Sequence, residues 1–86
     1  MGTTVKLEHP IQLEGGELAE ITIRRPKVRD ARDARTKHAN PADQEIALLA
    51  KLSGLPPAAI EDLDMADYAK LQEVLTGFFG SSETTA

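Results

Sequence analysis

The stretch "TVKLEHPIQLEGGELAEITIRR" constrains the fold of this chain most, because a double glycine divides two segments whose apolar residues alternate. Alternation puts these side chains on one face of an extended strand: Val5, Leu7, Ile11 and Leu13 in the first segment, and Ala19, Ile21 and Ile23 in the second. Glycine readily adopts the positive φ of a tight turn, so Gly15 and Gly16 predict a β-hairpin with strands over residues 4–13 and 17–25. Pro10 lacks an amide hydrogen, which predicts an edge position or a kink in the first strand.

Two strands alone are marginally stable in water, so helices must cover the apolar face of the hairpin. Residues 27–39 predict a helix that lies on the surface, because its apolar stripe is thin and consists of Val28, Ala31 and Ala34. Asn40 and Pro41 are start signals for a second helix, and Gly54 is a stop signal. This second helix is rich in Leu and Ile and is expected to be the most buried.

Two more helices are predicted in the last third of the chain. A short one begins near Pro57, and a longer one is capped by Asp64 and ended by Gly80. The apolar residues of the long helix are spaced to share one face: Met65, Tyr68, Leu71, Val74, Leu75 and Phe78. The expected fold is α+β, with an N-terminal β-hairpin followed by three to four packed α-helices.

The length and composition limit the organisation of the chain. Its 86 residues predict one small domain over residues 1–80, followed by a disordered polar tail over 81–86. Cysteine is absent, which excludes disulfides and thiolate chemistry and favours a reducing interior. No apolar run approaches the roughly 20 residues of a membrane span. A cytosolic protein without membrane contact is therefore expected.

Charge is distributed unevenly along the sequence. Residues 24–37 hold seven Lys or Arg and two Asp, a net charge of +5, whereas the rest of the chain has a net charge of −9, within a total of −4. A solvated charged helix explains this segment most simply, and a basic ridge that docks an acidic partner, or the acidic end of the same domain, is the second interpretation. The third interpretation, a nucleic-acid site, is disfavoured because the segment lacks aromatic residues and contains Asp30 and Asp33.

The sequence offers little that could carry catalysis. His9 and His38 are the only histidines, and their spacing does not make a metal pair. The acidic stretch "EDLDMAD" lacks the glycine of a calcium loop, so helix capping and dipole interactions explain it better than a metal does. No serine has the glycines of a nucleophile elbow around it. A non-enzymatic protein without cofactor or metal is expected.

Several short motifs nevertheless follow one another in a familiar order. They are Pro10-Ile11, Arg25-Pro26 with Asp30 following, the "LSGLP" turn at 52–56, and Leu63 with Asp67 four residues later. In this order and spacing, over about residues 4–79, the chain resembles the tail assembly chaperones of long-tailed bacteriophages, of the Mu-like, tail assembly protein E type.

The resemblance implies a non-enzymatic role in tail morphogenesis. Such chaperones are thought to coat the tape measure protein, a long, helical and aggregation-prone molecule, and to help tail tube subunits polymerise around it. The implied partners are thus the tape measure protein and the tail tube protein, in the host bacterial cytoplasm, with the chaperone absent from the mature virion. Many members occur in a short form and in one extended by ribosomal frameshifting, and this chain is similar to the short form.

The residues that would contact such a partner are predicted from charge and apolar character. Arg29, Arg32 and Arg35 form a basic row on the first helix, and Phe79 lies at the edge of the apolar face of the last. Two alternatives remain open at the level of sequence. One is a small DNA- or RNA-binding regulator that uses residues 24–37, and the other is an adaptor domain unrelated to phage.

Overall fold

The structure is a computed structural model that describes residues 2–80. Two antiparallel strands precede the helices, so the predicted α+β fold is confirmed. The elements are β1 (Gly2–Leu13), β2 (Gly16–Arg24), α1 (Val28–Lys37), α2 (Pro41–Ser53), α3 (Pro57–Glu61) and α4 (Met65–Gly80). The polar tail predicted at 81–86 lies outside the described residues.

The hairpin is irregular in the middle of β1. Val5 pairs with Ile21 and Ile11 pairs with Leu18, but the register shifts between Lys6 and Ile11. Pro10 lies within this irregular segment, as its missing amide hydrogen predicts. The turn between the strands uses Gly16 at a φ of 131°, a conformation that favours glycine.

The register shift also changes which side chains of β2 face the core. Ala19 was expected on the buried face but is exposed, whereas Leu18 pairs with Ile11 and packs partly buried against the core. The expectation for Ala19 was wrong because strict alternation holds only where the pairing has no bulge. Ile21 and Ile23, on the regular side of the shift, are buried as predicted.

The first two helices largely follow their sequence signals. In α2, the Asn40 side chain accepts a hydrogen bond from the amide of Ala42, and Gly54 ends the helix at a φ of 76°. The expectation that this helix is deeply buried is confirmed by Leu48, Leu49, Ala50 and Leu52. Helix α1 is a surface helix as expected, but its stripe is thinner than predicted, since Val28 is 88% exposed.

Helix α4 packs against β1 and completes the aliphatic core. Leu71 and Leu75 are buried, but Met65, which was expected on the same face, is 75% exposed. The expectation for Met65 was wrong because it precedes Leu71 by six residues, which puts it about 120° away around a helix. The residue of the first turn that faces the hairpin is instead Asp67, which is completely buried.

Candidate functional site

Two aspartates are the only buried polar or charged residues in the described part of the chain. Asp30 is 2% exposed and Asp67 is 0% exposed. Neither role was anticipated from the sequence, where Asp30 was read as an interruption of the basic segment and Asp67 as one of several helix-capping acids. Because a buried carboxylate is stable only when it is paired or hydrogen-bonded, their partners show how the fold is held together.

Asp30 joins three parts of the chain. Its carboxylate accepts hydrogen bonds from both terminal nitrogens of Arg24, at 2.9 and 3.1 Å, and from the backbone amide of Lys27 at 2.8 Å. The ammonium of Lys51 on α2 lies 3.4 Å from it and also contacts Asp33 at 2.8 Å. The hydrogen bonds from Arg24 are the main reason that the pKa of Asp30 is well below its ordinary value. Part of the basic segment therefore stabilises the junction between β2, α1 and α2.

Asp67 fixes α4 to the irregular segment of β1. Its two carboxylate oxygens accept hydrogen bonds from the backbone amides of Glu8 and His9, each at 2.9 Å. Burial acts to raise the pKa of Asp67, but these amides and the nearby cation of Lys70 outweigh it, and the pKa is lowered. The two amides have no strand partner where the register shifts, so the carboxylate satisfies donors that would otherwise be lost.

These two carboxylates predict a sensitivity to acid. Their pKa values are lowered in the folded state, so their contribution to stability is complete above the unfolded value of about 3.9 and is lost as the pH falls below it. We expect the melting temperature, followed by circular dichroism, to change little between about pH 7 and 5 and to fall steeply below about pH 4. A melting temperature that stays constant down to about pH 2.5 would contradict this account.

An open groove lies between α1 and the end of α4. We call it the α1/α4 groove; its volume is about 580 Å³ and its lining is Pro26, Lys27, Val28, Ala31, Arg32, Arg35, Thr36 and Phe79. Its apolar residues include two of the most exposed large hydrophobic side chains, Val28 at 88% and Phe79 at 50%. Arg32 and Arg35 are cations in the same lining. The groove thus combines an apolar surface with positive charge.

The structure separates the predicted contact residues. Arg32, Arg35 and Phe79 come together in the α1/α4 groove, but Arg29 is not part of its lining. Residues three apart on a helix are offset by about 60°, so the row of three arginines spans about 120° of α1 and cannot face one narrow groove. Arg32 is 3.6 Å from Asp33, and within residues 2–80 Arg29 and Arg35 make no ion pair.

A smaller depression continues the groove towards α2. Its volume is about 200 Å³, and it shares Ala31, Arg35 and Phe79 with the α1/α4 groove. Leu48 and Leu75 also line it, together with the acidic side chain of Glu45. The continuous surface therefore extends from the start of α1 across to the contact between α2 and α4.

Arg25 fixes the end of α4 beside this groove. Its guanidinium lies 5.1 Å from the ring centre of Phe78, within the range of a cation–π interaction. Phe78 is partly buried against the core, and the following Phe79 reaches the groove. The Arg25–Phe78 contact joins two segments more than fifty residues apart, next to Phe79.

Over residues 2–80, no group of three or more His, Cys, Asp or Glu side chains is arranged to hold a metal ion. None of the helices described above is long and apolar enough to cross a membrane.

The chain folds into a small α+β protein with an open, partly apolar and partly basic groove between α1 and α4. The family model of the phage tail assembly chaperone proteins, "E, or 41 or 14", matches residues 4–80. The chain therefore belongs to this family of phage tail assembly chaperones, and the resemblance seen in the sequence is confirmed. Neither a curated protein nor a solved structure matches the chain.

The motifs that carried the resemblance have structural roles here. Pro10 lies in the irregular part of β1, and Asp67 holds the amides beside it. Asp30 holds Arg24, and Gly54 in the "LSGLP" turn provides the left-handed end of α2. These motifs therefore account for how the hairpin and helices are joined, whereas the groove is lined mainly by other residues.

Proposed function

We propose that this protein binds the tape measure protein during tail assembly and assists the polymerisation of the tail tube around it. Its family assigns it to tail assembly and implies protein partners there. The observation that supports the finer proposal is the α1/α4 groove, in which exposed apolar side chains lie beside two arginines. The role is non-enzymatic and is carried out in the host bacterial cytoplasm, and the protein is absent from the mature virion.

The groove has properties that a chaperone for a long helical protein requires. An amphipathic helix presents an apolar stripe that is edged by charged residues. Val28, Ala31 and Phe79 would contact such a stripe, and Arg32 and Arg35 would pair with Asp or Glu at its edge. The groove is open and shallow, so each contact is weak and reversible. Many copies can then bind along the tape measure protein and leave as the tube closes.

Co-expression tests this proposal. With an affinity tag on the cognate tape measure protein, we expect the untagged chaperone to co-purify in more than one copy per tape measure chain. A matched control is an unrelated small acidic protein expressed at the same level. Absence of a complex, with the full-length tape measure protein and the tube protein both present, would refute the proposed partner.

The alternative function, nucleic-acid binding through residues 24–37, makes a different prediction. Asp30 occupies both terminal nitrogens of Arg24, and Asp33 lies beside Arg32, so two of the seven cations in this segment already have a carboxylate partner. In gel-shift titrations at physiological salt, we expect duplex and single-stranded DNA to bind no more tightly than about 10⁻⁴ M. Micromolar, sequence-selective binding would support the regulator instead.

A further inference from the structure

The two strands of the hairpin differ in how their outer edges are covered. Helix α4 covers the edge of β1, where Asp67 accepts the amides of Glu8 and His9 and the Lys70 ammonium lies 3.3 Å from the carbonyl oxygen of Lys6. Within residues 2–80, the backbone of β2 makes no hydrogen bond except to β1. Helix α2 packs against β2, but Glu20, Thr22 and Arg24 are exposed. A strand edge whose backbone groups are unpaired is a template for pairing with another strand.

The burial pattern shows which groups of β2 face outwards. Ile21 and Ile23 are only 2% and 0% exposed, so their backbone groups must be satisfied by β1. Backbone groups point to alternate sides along an antiparallel strand, and those of Glu20, Thr22 and Arg24 therefore point away from β1. The 2.8 Å contact between the hydroxyls of Thr4 and Thr22 agrees with this, because side chains are closest in the pairs that exchange no backbone hydrogen bonds.

The charges along β2 are complementary to those of a second β2 that runs in the opposite direction. Glu20 lies at the middle of β2, and Arg24 is its last residue. When Thr22 stands opposite Thr22 of a second copy, Glu20 faces Arg24 twice, and the Arg24 side chain is 45% exposed although it also holds Asp30. Opposite charges across a strand pair are stabilising.

The same charges select one register. A two-fold pairing that uses the outward backbone groups can be centred on Glu20, Thr22 or Arg24, or on the residues between them, Ile21 and Ile23. Centring on Glu20 puts two glutamates face to face, and centring on Arg24 puts two arginines face to face. Like charges directly opposite each other destabilise a strand pair. Centring on Ile21 puts Glu20 opposite Thr22, and centring on Ile23 puts Glu20 opposite Pro26, so only the pairing centred on Thr22 puts Glu20 opposite Arg24.

We propose that two copies of this chain associate through β2, with Thr22 at the two-fold axis, to form a four-stranded antiparallel sheet. The α1/α4 groove is not part of this contact, so each copy keeps its groove and the dimer presents two. A short strand edge buries less surface than a stable dimer requires, so the association is weak and depends on concentration and salt. This inference does not depend on the identity of the partner that the groove binds.

Sedimentation equilibrium tests the dimer. At about 50 mM salt, we expect the mean mass to rise from 9.3 kDa towards twice that value as the concentration increases from about 10 to about 500 µM. Thr22→Pro removes an amide that β1 does not use, so we expect this variant to stay folded by circular dichroism and to remain a monomer. Thr22→Ala is the matched control, since it also loses the hydroxyl contact with Thr4 but keeps the amide. We expect this variant to dimerise like the wild type.

A second pair of variants tests the charges without changing the backbone. Glu20→Lys puts like charges opposite Arg24, and we expect the dissociation constant to rise about tenfold or more. Glu14→Lys makes the same change of charge in the exposed turn and is expected to dimerise like the wild type. A wild-type chain that stays monomeric at about 500 µM would overturn the proposal, as would a Glu20→Lys variant that dimerises as tightly as Glu14→Lys.

Discussion

Replacing Asp67 by alanine is expected to lower the melting temperature by about 10 °C or more. The substitution leaves the amides of Glu8 and His9 without their acceptor, in a part of β1 where the register shift removes strand partners. An unsatisfied buried donor costs its full desolvation penalty, and here two donors are affected at once. The change also releases α4 from the hairpin, so hydrogen exchange at both amides should accelerate.

The control for this prediction is another aspartate at the start of a helix. Asp43 lies in the first turn of α2 and is exposed, so Asp43→Ala should lower the melting temperature by only a few degrees. Circular dichroism and differential scanning calorimetry at pH 7 provide the measurement. If Asp67→Ala melts within a few degrees of Asp43→Ala, the carboxylate does not hold the hairpin to α4 in the way described.

The second large effect is expected in partner binding. Reversing both arginines of the α1/α4 groove, as Arg32→Glu with Arg35→Glu, should weaken the complex with the tape measure protein by at least about tenfold. The reversal puts negative charge beside the exposed apolar residues, where acidic edges of a helix are proposed to dock. Neither arginine holds the fold through a buried contact, so the variant should keep its circular dichroism spectrum and melting temperature.

The matched control makes an equal change in net charge at two other positions of α1. Arg29 and Lys37 are exposed and lie outside the groove lining, so Arg29→Glu with Lys37→Glu should slow association at low salt but leave the complex intact. Binding is measured by biolayer interferometry on immobilised tape measure protein at two salt concentrations. Equal losses in the two double variants would show that overall charge, rather than the groove, determines binding.

Local patterns in the sequence were sufficient to predict most of the fold. The turn at Gly15 and Gly16 and the caps at Asn40 and Gly54 act within a few residues, so their effects are visible in the sequence itself. The exposures of Ala19 and Met65 were not predicted correctly. The first depends on a register shift between two strands, which is not local in the sequence. The second follows from helix geometry, since Met65 lies about 120° around α4 from the buried Leu71.

The candidate site was predictable only in part. Residue type identified Arg32, Arg35 and Phe79 as contact residues, and the structure brings them into one groove. Which arginine lies outside the groove depends on the orientation of α1 in the fold, where Asp30 holds Arg24 and lies 3.4 Å from the Lys51 ammonium of α2. Buried aspartates have no distinctive local pattern, because their partners are amides and cations that only folding brings near.

We propose that the chaperone keeps the tape measure protein soluble through the α1/α4 groove. The decisive measurement is the fraction of full-length tape measure protein that stays in the supernatant after high-speed centrifugation. We predict that this fraction is small when the tape measure protein is expressed alone, large with the wild-type chaperone, and small again with the Arg32→Glu, Arg35→Glu variant. The account would be contradicted by a tape measure protein whose soluble fraction is the same with and without the wild-type chaperone.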